Sequence, residues 1–271
     1  LDVERPETLR QAVEGSGSAF YLIHQMLGGG EYESRERQAA RAFREVCDEA
    51  GLERIIYLGG VAPRGRPSPH LRSRLETGRV LRGGPISAIE LRASMIIGRG
   101  SASWQIVRDL AARLPAMILP SWTRTRTQPI WIGDVIEALV GALGLPDQSS
   151  RWYDIPGPET LTVAEIMRKT AKIMGNSPRM VDVPLLSPRL SSYWLRFVTD
   201  SDIHLARELV EGLKSDLLAE SDEFWELIGH TDLMAFEEAA RREVTPPERR
   251  SAQLVERAVH ALTGRAPSPE P

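Results

Sequence analysis

The chain has a single cysteine, Cys47, among 271 residues. That excludes an internal disulfide and a cysteine-rich metal site. Long apolar runs are missing as well: no stretch approaches the ~20 residues that a bilayer-spanning helix needs, and no signal-peptide pattern is present. Neither sign of charge is in large surplus, since 34 Lys and Arg stand against 37 Asp and Glu for a formal net charge of -3. With no long basic run, nucleic acid is not expected as a partner. Aromatics are sparse at 6%, yet hydrophobic residues make up 42% and charged residues 26%. Those are ordinary proportions for a folded globular chain. The expectation is a cytoplasmic protein without a transmembrane segment; peripheral membrane contact and oligomeric state are left open. The sequence opens on Leu1 and "LDVERPETLR", which reads as the interior of a longer polypeptide.

What is present is a succession of short apolar runs, each released into a glycine-bearing loop. "SAFYLIH", Ser18 to His24, is too short for a globular helix and fits a buried parallel strand. It leads into Gly28, Gly29 and Gly30. A helix is expected over Glu31 to Ala50, with Ala39, Ala40, Phe43, Val46, Cys47 and Ala50 on one apolar face. "ERIIYLGG" is the next strand and ends at Gly59 and Gly60. Strand, helix, strand is the crossover unit of a parallel sheet. A third strand is expected within Ser87 to Ile97, and a last short one over Arg151 to Ile155. Helices are expected over His70 to Thr77, Ser101 to Arg113 and Asp134 to Leu143. In the first, Ser68 caps and Pro69 sits in the first turn. In the last, Asp134 is read as the cap, with Val135, Ile136, Leu139, Val140 and Leu143 facing inward. Thr162 with Glu165 forms a capping box, flanked by Leu161 and Ile166 as a hydrophobic staple.

Beyond Pro178 the pattern turns helical, near Pro188 to Val198, His204 to Leu213, Glu223 to Ile228 and Leu233 to Arg242, with no further strand expected. Leu190, Trp194 and Phe197 make an aromatic stripe there, read as packing. The domain reading is residues 1–158 as a partial nucleotide-binding domain, 159–244 as a smaller, mainly helical region, and 245–271 as a tail with one terminal helix. The fold class is α/β: a Rossmann-like parallel sheet lacking its first strand–helix units, with a small, mostly helical C-terminal region. Some 60 to 80 residues are roughly what two strand–helix units would add. His204, His230 and His260 lack ligand spacing, so no metal is expected.

In an open parallel sheet a ligand lies beyond the carboxyl ends of the strands. The loops His24–Gly30, Gly59–Arg66 and Ile97–Gly100 reach that rim. No spaced glycine fingerprint for a pyrophosphate occurs in the right context.

The segments "LDVERPETLRQAV", "AFYLIHQM", "AGLERIIYLGG", "HLRSRLETG", "ELRASMIIGRGSAS", "QPIWIGDVIEAL" and "YDIPGPETLTVAEIM", taken in order, resemble the atypical, extended short-chain dehydrogenase/reductases of the epimerase/dehydratase kind. Within that group they resemble NAD(P)H-binding proteins related to the nucleotide-binding accessory subunit of respiratory complex I. The resemblance covers about residues 1 to 175. It implies NAD or NADP as cofactor, and an oxidoreductase or epimerase-like activity on a carbonyl or nucleotide-sugar substrate. The alternative it allows is a non-catalytic sensor, assembly or structural subunit. By position, Asp2 and Val3 would lie at the adenine, Ile23, His24 and Gln25 beside the pyrophosphate and ribose, and Ser94, Ile96 and Ile97 along the nicotinamide. Leu58, Gly59 and Gly60 fall where active members place a catalytic serine or threonine.

His70 falls on the family's catalytic tyrosine and Arg74 on its lysine. In active members the lysine lowers the tyrosine pKa and holds the ribose, because i and i+4 share a helix face. Here Arg74 can still hold a ribose hydroxyl. For His70 three readings stand: a surface histidine, a catalytic base, and a non-catalytic cofactor contact.

Overall fold

The structure is a computed structural model that describes residues 2–3, 5–23, 32–113, 116–146, 149–182 and 211–244. The expected loop at Gly28–Gly30, the residues His24 and Gln25, the stripe Leu190, Trp194 and Phe197, and the terminal helix lie outside the described residues. So does most of the helical pattern over 204–213.

Four strands form one parallel sheet: β1 (Ser18–Tyr21), β2 (Arg54–Gly60), β3 (Ser87–Ala93) and β8 (Arg151–Asp154), in the order β1-β2-β3-β8. The two central strands are buried over nearly their whole length, as both faces of a parallel sheet require cover. Register is direct: Tyr21 pairs with Tyr57, and Ile56 with Ile89. The period of two then sends Ile55 and Tyr57 to one face and Ile56 to the other. On the first face pack α1 (Pro6–Val13), α2 (Tyr32–Glu49) and α3 (Pro69–Arg82). Ala39, Ala40, Phe43, Val46 and Cys47 are the buried face of α2, as its periodicity predicts, whereas Ala50 is exposed just past its end. Tyr21 leans on Phe43 with ring centroids 5.0 Å apart. α3 begins as expected, with the Ser68 hydroxyl accepting from the Leu71 N–H at 3.3 Å, but it runs past Thr77 to Arg82.

The other face is covered by α5 (Ile132–Leu143), which buries Val135, Ala138 and Ala142 against Ile56, Ile89 and Leu91. Two expectations about this helix are corrected. Ile136, Val140 and Leu143 do not face inward; they are 52%, 56% and 41% exposed. At 100° per residue they occupy the flank next to the buried one. Asp134 is not the cap, because the N-cap residue is Trp131. The buried Asp134 carboxylate instead accepts from His230 Nε2 at 3.0 Å and from the Met234 N–H at 3.1 Å. It thereby ties down the chain between α7 (Glu223–Ile228) and α8 (Phe236–Glu243).

The expected third strand divides. β3 stops at Ala93, and β4 (Ile96–Ile97) leaves the sheet to pair with β7 (Ile130–Trp131). A further correction concerns strands after Pro178. β10 (Arg179–Asp182) pairs in parallel with β5 (Ala116–Leu119). Four residues are too few for alternation to show in a sequence. The short antiparallel pair β6 (Arg126–Thr127) and β9 (Leu161–Thr162) completes the strands of the described residues.

A further core joins α4 (Ala102–Arg113), α6 (Val163–Ile173) and α8, with Trp104, Ile166, Met167 and Phe236 at its centre. The start of α6 follows the sequence closely. Thr162 Oγ1 accepts from the Glu165 N–H at 3.2 Å, Glu165 Oε2 accepts from the Thr162 N–H at 2.7 Å, and Leu161 and Ile166 are buried in one cluster. No helix among the described residues is long and apolar enough to cross a membrane.

Candidate functional site at the carboxyl rim of the sheet

Because the four strands run parallel and in register, their carboxyl ends share one rim. This brings Ile23, Leu58, Gly59, Gly60 and Ser94 to one edge. The rim is stitched by the Val61 N–H donating to the Ala93 carbonyl at 3.2 Å and the Ile155 N–H to the Arg92 carbonyl at 2.9 Å.

α3 starts nine residues after β2 ends, at Pro69, and lays its first turns beside that rim. Arg74 Nη2 donates to the Leu58 carbonyl at 2.7 Å, while the Tyr57 hydroxyl donates to the Arg74 carbonyl at 3.1 Å. Arg74 is therefore fixed to the end of β2 from both its side chain and its backbone. Burial pushes the Tyr57 phenol up to about 12, partly offset by the Arg74 charge, so it stays neutral and serves as a donor. A Cβ on Gly60 would meet Leu71 Cδ2 at 3.3 Å and Arg74 Nε at 3.4 Å. The arginine side chain lies where a hydroxyl-bearing residue would project.

His70 is 7% exposed, which removes the surface-histidine reading. It sits on the first turn of α3 and lines a cavity of about 120 Å³. Ser94 lines the same cavity, and its hydroxyl donates to the Gln128 carbonyl at 2.8 Å. Ile97 is fully buried in the core shared with α4 and α6, and Ile96 is half-buried against the α5 layer. Val3 is core beside α1, Ile23 packs on the same cluster, and Asp2 is exposed and paired with Arg5 at 3.6 Å. Of the sequence-named residues, then, the rim gathers Ile23, Leu58, Gly59, Gly60, His70, Arg74 and Ser94. Val3 and Ile97 contribute packing.

Sequence reading missed the charges beneath this rim. Glu90, on β3, is fully buried; its carboxylate accepts from Arg82 Nε and Arg92 Nε, both at 2.9 Å. The Arg92 guanidinium lies 4.2 Å from the Trp152 ring centroid, a cation–π contact. Asp154, at the end of β8, accepts from the Glu220 N–H at 2.7 Å, and burial holds its carboxyl above the usual range. The alternation Glu90, Arg92 within "SAIELRA" was the available signal: two charges two residues apart on one strand share a face. This cluster gives Gly59 its reason. A Cβ there would lie 3.0 Å from Glu90 Oε1.

No protein-family model matches the chain. Among curated proteins it is similar to NADH dehydrogenase (ubiquinone) 1 alpha subcomplex subunit 9, mitochondrial, of Mus musculus, at 25% identity over 175 residues, 62% of this chain and 45% of that protein. The Rattus norvegicus counterpart is 24% identical over 202 residues, 72% of this chain and 51% of that one. The chain thus spans about half the length of the curated relatives it matches. Among solved structures it is similar to an NADPH-dependent quinone oxidoreductase of Escherichia coli complexed with NADPH, with a TM-score of 0.70 at 17% identity, covering 89% of this chain and 81% of that one. The Citrobacter sp. triphenylmethane reductase complexed with NADP(H) gives a TM-score of 0.68 at 16% identity, covering 90% and 82%. At those identities the structures establish the fold: a Rossmann-like α/β sheet.

Proposed function

We propose that this chain is the nucleotide-binding part of an atypical short-chain dehydrogenase/reductase and holds NAD or NADP along the carboxyl rim of β1, β2 and β3. The observation that carries the reading is the juxtaposition of Leu58–Gly60, Arg74 and Ser94 at one edge, with His70 on the adjoining cavity wall. Solved structures of the same fold hold NADPH and NADP(H). The rim fits the ribose and nicotinamide end. Glycines let a flat ring approach the backbone closely, and a guanidinium carries five N–H donors, of which Leu58 engages one. The nucleotide, when bound, would supply a hydride donor or acceptor. Arg74 would orient the ribose and bring positive charge. His70, with no other charged or acidic side chain among the described residues lining its cavity, would move a proton to or from a carbonyl oxygen placed there.

A second reading, favoured by one observation, is a nucleotide-binding subunit without turnover. Gly59 and Gly60 carry no hydroxyl, and Glu90 and Arg74 occupy the space a side chain would need. The experiment that separates the two is NADPH and NADH binding by calorimetry, paired with nicotinamide absorbance over a carbonyl panel. Arg74→Ala is expected to weaken binding about tenfold, the loss of one to two charge-assisted hydrogen bonds. Turnover abolished by His70→Ala with binding intact selects the enzyme. Binding without turnover selects the subunit. No binding of either nucleotide removes both readings.

A further inference from the structure

The cavity beside His70 has a chemistry of its own. α3, α4 and α6 and the segment around Leu213 and Leu217 enclose it, and no Lys, Arg, Asp or Glu among the described residues lines it. Most of the wall is branched aliphatic or sulfur-bearing, represented by Val107, Ile166 and Met167, with Trp122 closing one side. Polar groups are few. His70 lies on one wall, Ser94 already donates to Gln128, and Ser103 shares a hydrogen bond with Ser101 at 3.0 Å. Thr127 differs: it is 2% exposed, it lines the cavity, and its hydroxyl is buried without a hydrogen-bond partner. A buried hydroxyl left unpaired costs about 1–3 kcal/mol, so its place beside an apolar cavity points to a ligand that supplies the missing acceptor.

We infer that this cavity binds an uncharged, mainly apolar molecule of about one ring, bearing a single carbonyl oxygen that accepts a hydrogen bond from Thr127, and that it rejects nucleotide sugars. The size argument is direct. At about 120 Å³ the space is comparable to the roughly 150 Å³ apolar cavity that takes up benzene in a well-studied core mutant. The charge argument is equally direct. A diphosphate buried among mostly aliphatic side chains, with no lysine or arginine among the described residues lining the cavity, would lose several kcal/mol of hydration per charge. That this carbonyl molecule is also the reacting substrate rests on the nucleotide reading above; the selectivity of the cavity does not.

The test uses the whole chain, three probes matched in shape and one nucleotide sugar. Acetophenone carries ring and carbonyl, ethylbenzene the ring without oxygen, benzoate a negative charge, and UDP-glucose the diphosphate. Binding is read from quenching of tryptophan fluorescence and, in parallel, by calorimetry. The expected order is acetophenone several-fold tighter than ethylbenzene, with benzoate and UDP-glucose not measurable. Thr127→Val should bring acetophenone down to the ethylbenzene level without changing ethylbenzene. Val107→Phe, which fills the cavity, should abolish both. Equal affinity for acetophenone and benzoate, tight UDP-glucose binding, or a Thr127→Val chain that keeps its preference for acetophenone overturns the inference. NADPH binding measured on the same samples keeps the two readings apart. NADPH bound with acetophenone ignored removes this inference alone, and the reverse removes the nucleotide reading alone.

Discussion

Gly78 lies in the middle of α3, four residues after Arg74. Replacing an interior helix glycine by alanine ordinarily stabilises a protein by about 1 kcal/mol, because alanine loses less backbone freedom on folding. Here the opposite is expected. A Cβ at Gly78 would fall well inside van der Waals contact with all three heavy atoms of the Glu90 carboxyl group, closer than real Cβ atoms pack. Glu90 is fully buried and holds Arg82 and Arg92, so it has nowhere to retreat except by loosening those pairs. Overpacking costs about 1–3 kcal/mol, and breaking a buried ion pair about 3–5 kcal/mol. Partial loosening, set against the helix-propensity gain, leaves Gly78→Ala destabilised by about 3 kcal/mol. For a chain of this size that lowers the melting temperature by roughly 6–12 °C. Urea unfolding followed by circular dichroism measures it. The same substitution in a Glu90→Ala background should cost nothing, since the obstructing carboxylate is gone, and that non-additivity is the signature of direct contact. An unchanged or raised melting temperature for Gly78→Ala in the wild-type background would refute the reasoning.

Other outcomes follow from named contacts. Thr162→Ala should destabilise the protein by about 1 kcal/mol by removing the cap of α6. It should also raise the Glu165 pKa, which hydrogen bonds from the Thr162 N–H and hydroxyl now hold below the usual range; a carboxylate NMR titration reads it. Because that folded-state pKa is depressed, its stabilisation is present above the unfolded carboxylate pKa and is lost as pH falls through the folded one, so the variant's stability should fall less steeply in acid. Asp134→Ala leaves the Met234 N–H without its acceptor. It should speed amide hydrogen exchange over residues 230–236 while leaving β2 and β3 protected, and uniform loss of protection would count against a local tie. Cys47 is fully buried and its thiol is pushed up to about 12 by burial. It should resist a disulfide-exchange reagent in the native state and react fully in denaturant, whereas rapid native labelling would place it outside the core.

The fold was legible where periodicity and punctuation agree. Ser18–Tyr21, Arg54–Gly60 and Ser87–Ala93 announce themselves as apolar runs ending in loops, and they are neighbouring parallel strands. The start of α6 was legible because a capping box is local chemistry. Tertiary context overrode sequence elsewhere. Nothing near Asp134 shows that His230 and Met234, about a hundred residues on, will claim its carboxylate. The inward face of α5 could not be chosen among its apolar residues, since Ala138 and Ala142 give a helix that packs closely and leave Ile136 and Val140 outside. At the site, the resemblance named Leu58, His70, Arg74 and Ser94 one by one; that Arg74 reaches Leu58 and that His70 and Ser94 line one cavity comes from the fold. The resemblance did not give the burial of His70, and it missed Glu90, Arg92, Asp154 and Thr127. Those residues matter because several strands and loops converge, and convergence has no signature in a linear pattern.

A nicotinamide nucleotide along the carboxyl rim of the sheet is what the proposed function requires. Amide hydrogen exchange by mass spectrometry, with and without saturating NADPH or NADH, tests it most directly. Protection is predicted in the peptides carrying Tyr57–Gly60, His70–Arg74 and Ser94–Ile97, with the opposite end of the sheet around Glu53 and Ile86 unchanged. Protection confined to that opposite end, or no change anywhere at saturating nucleotide, would contradict it.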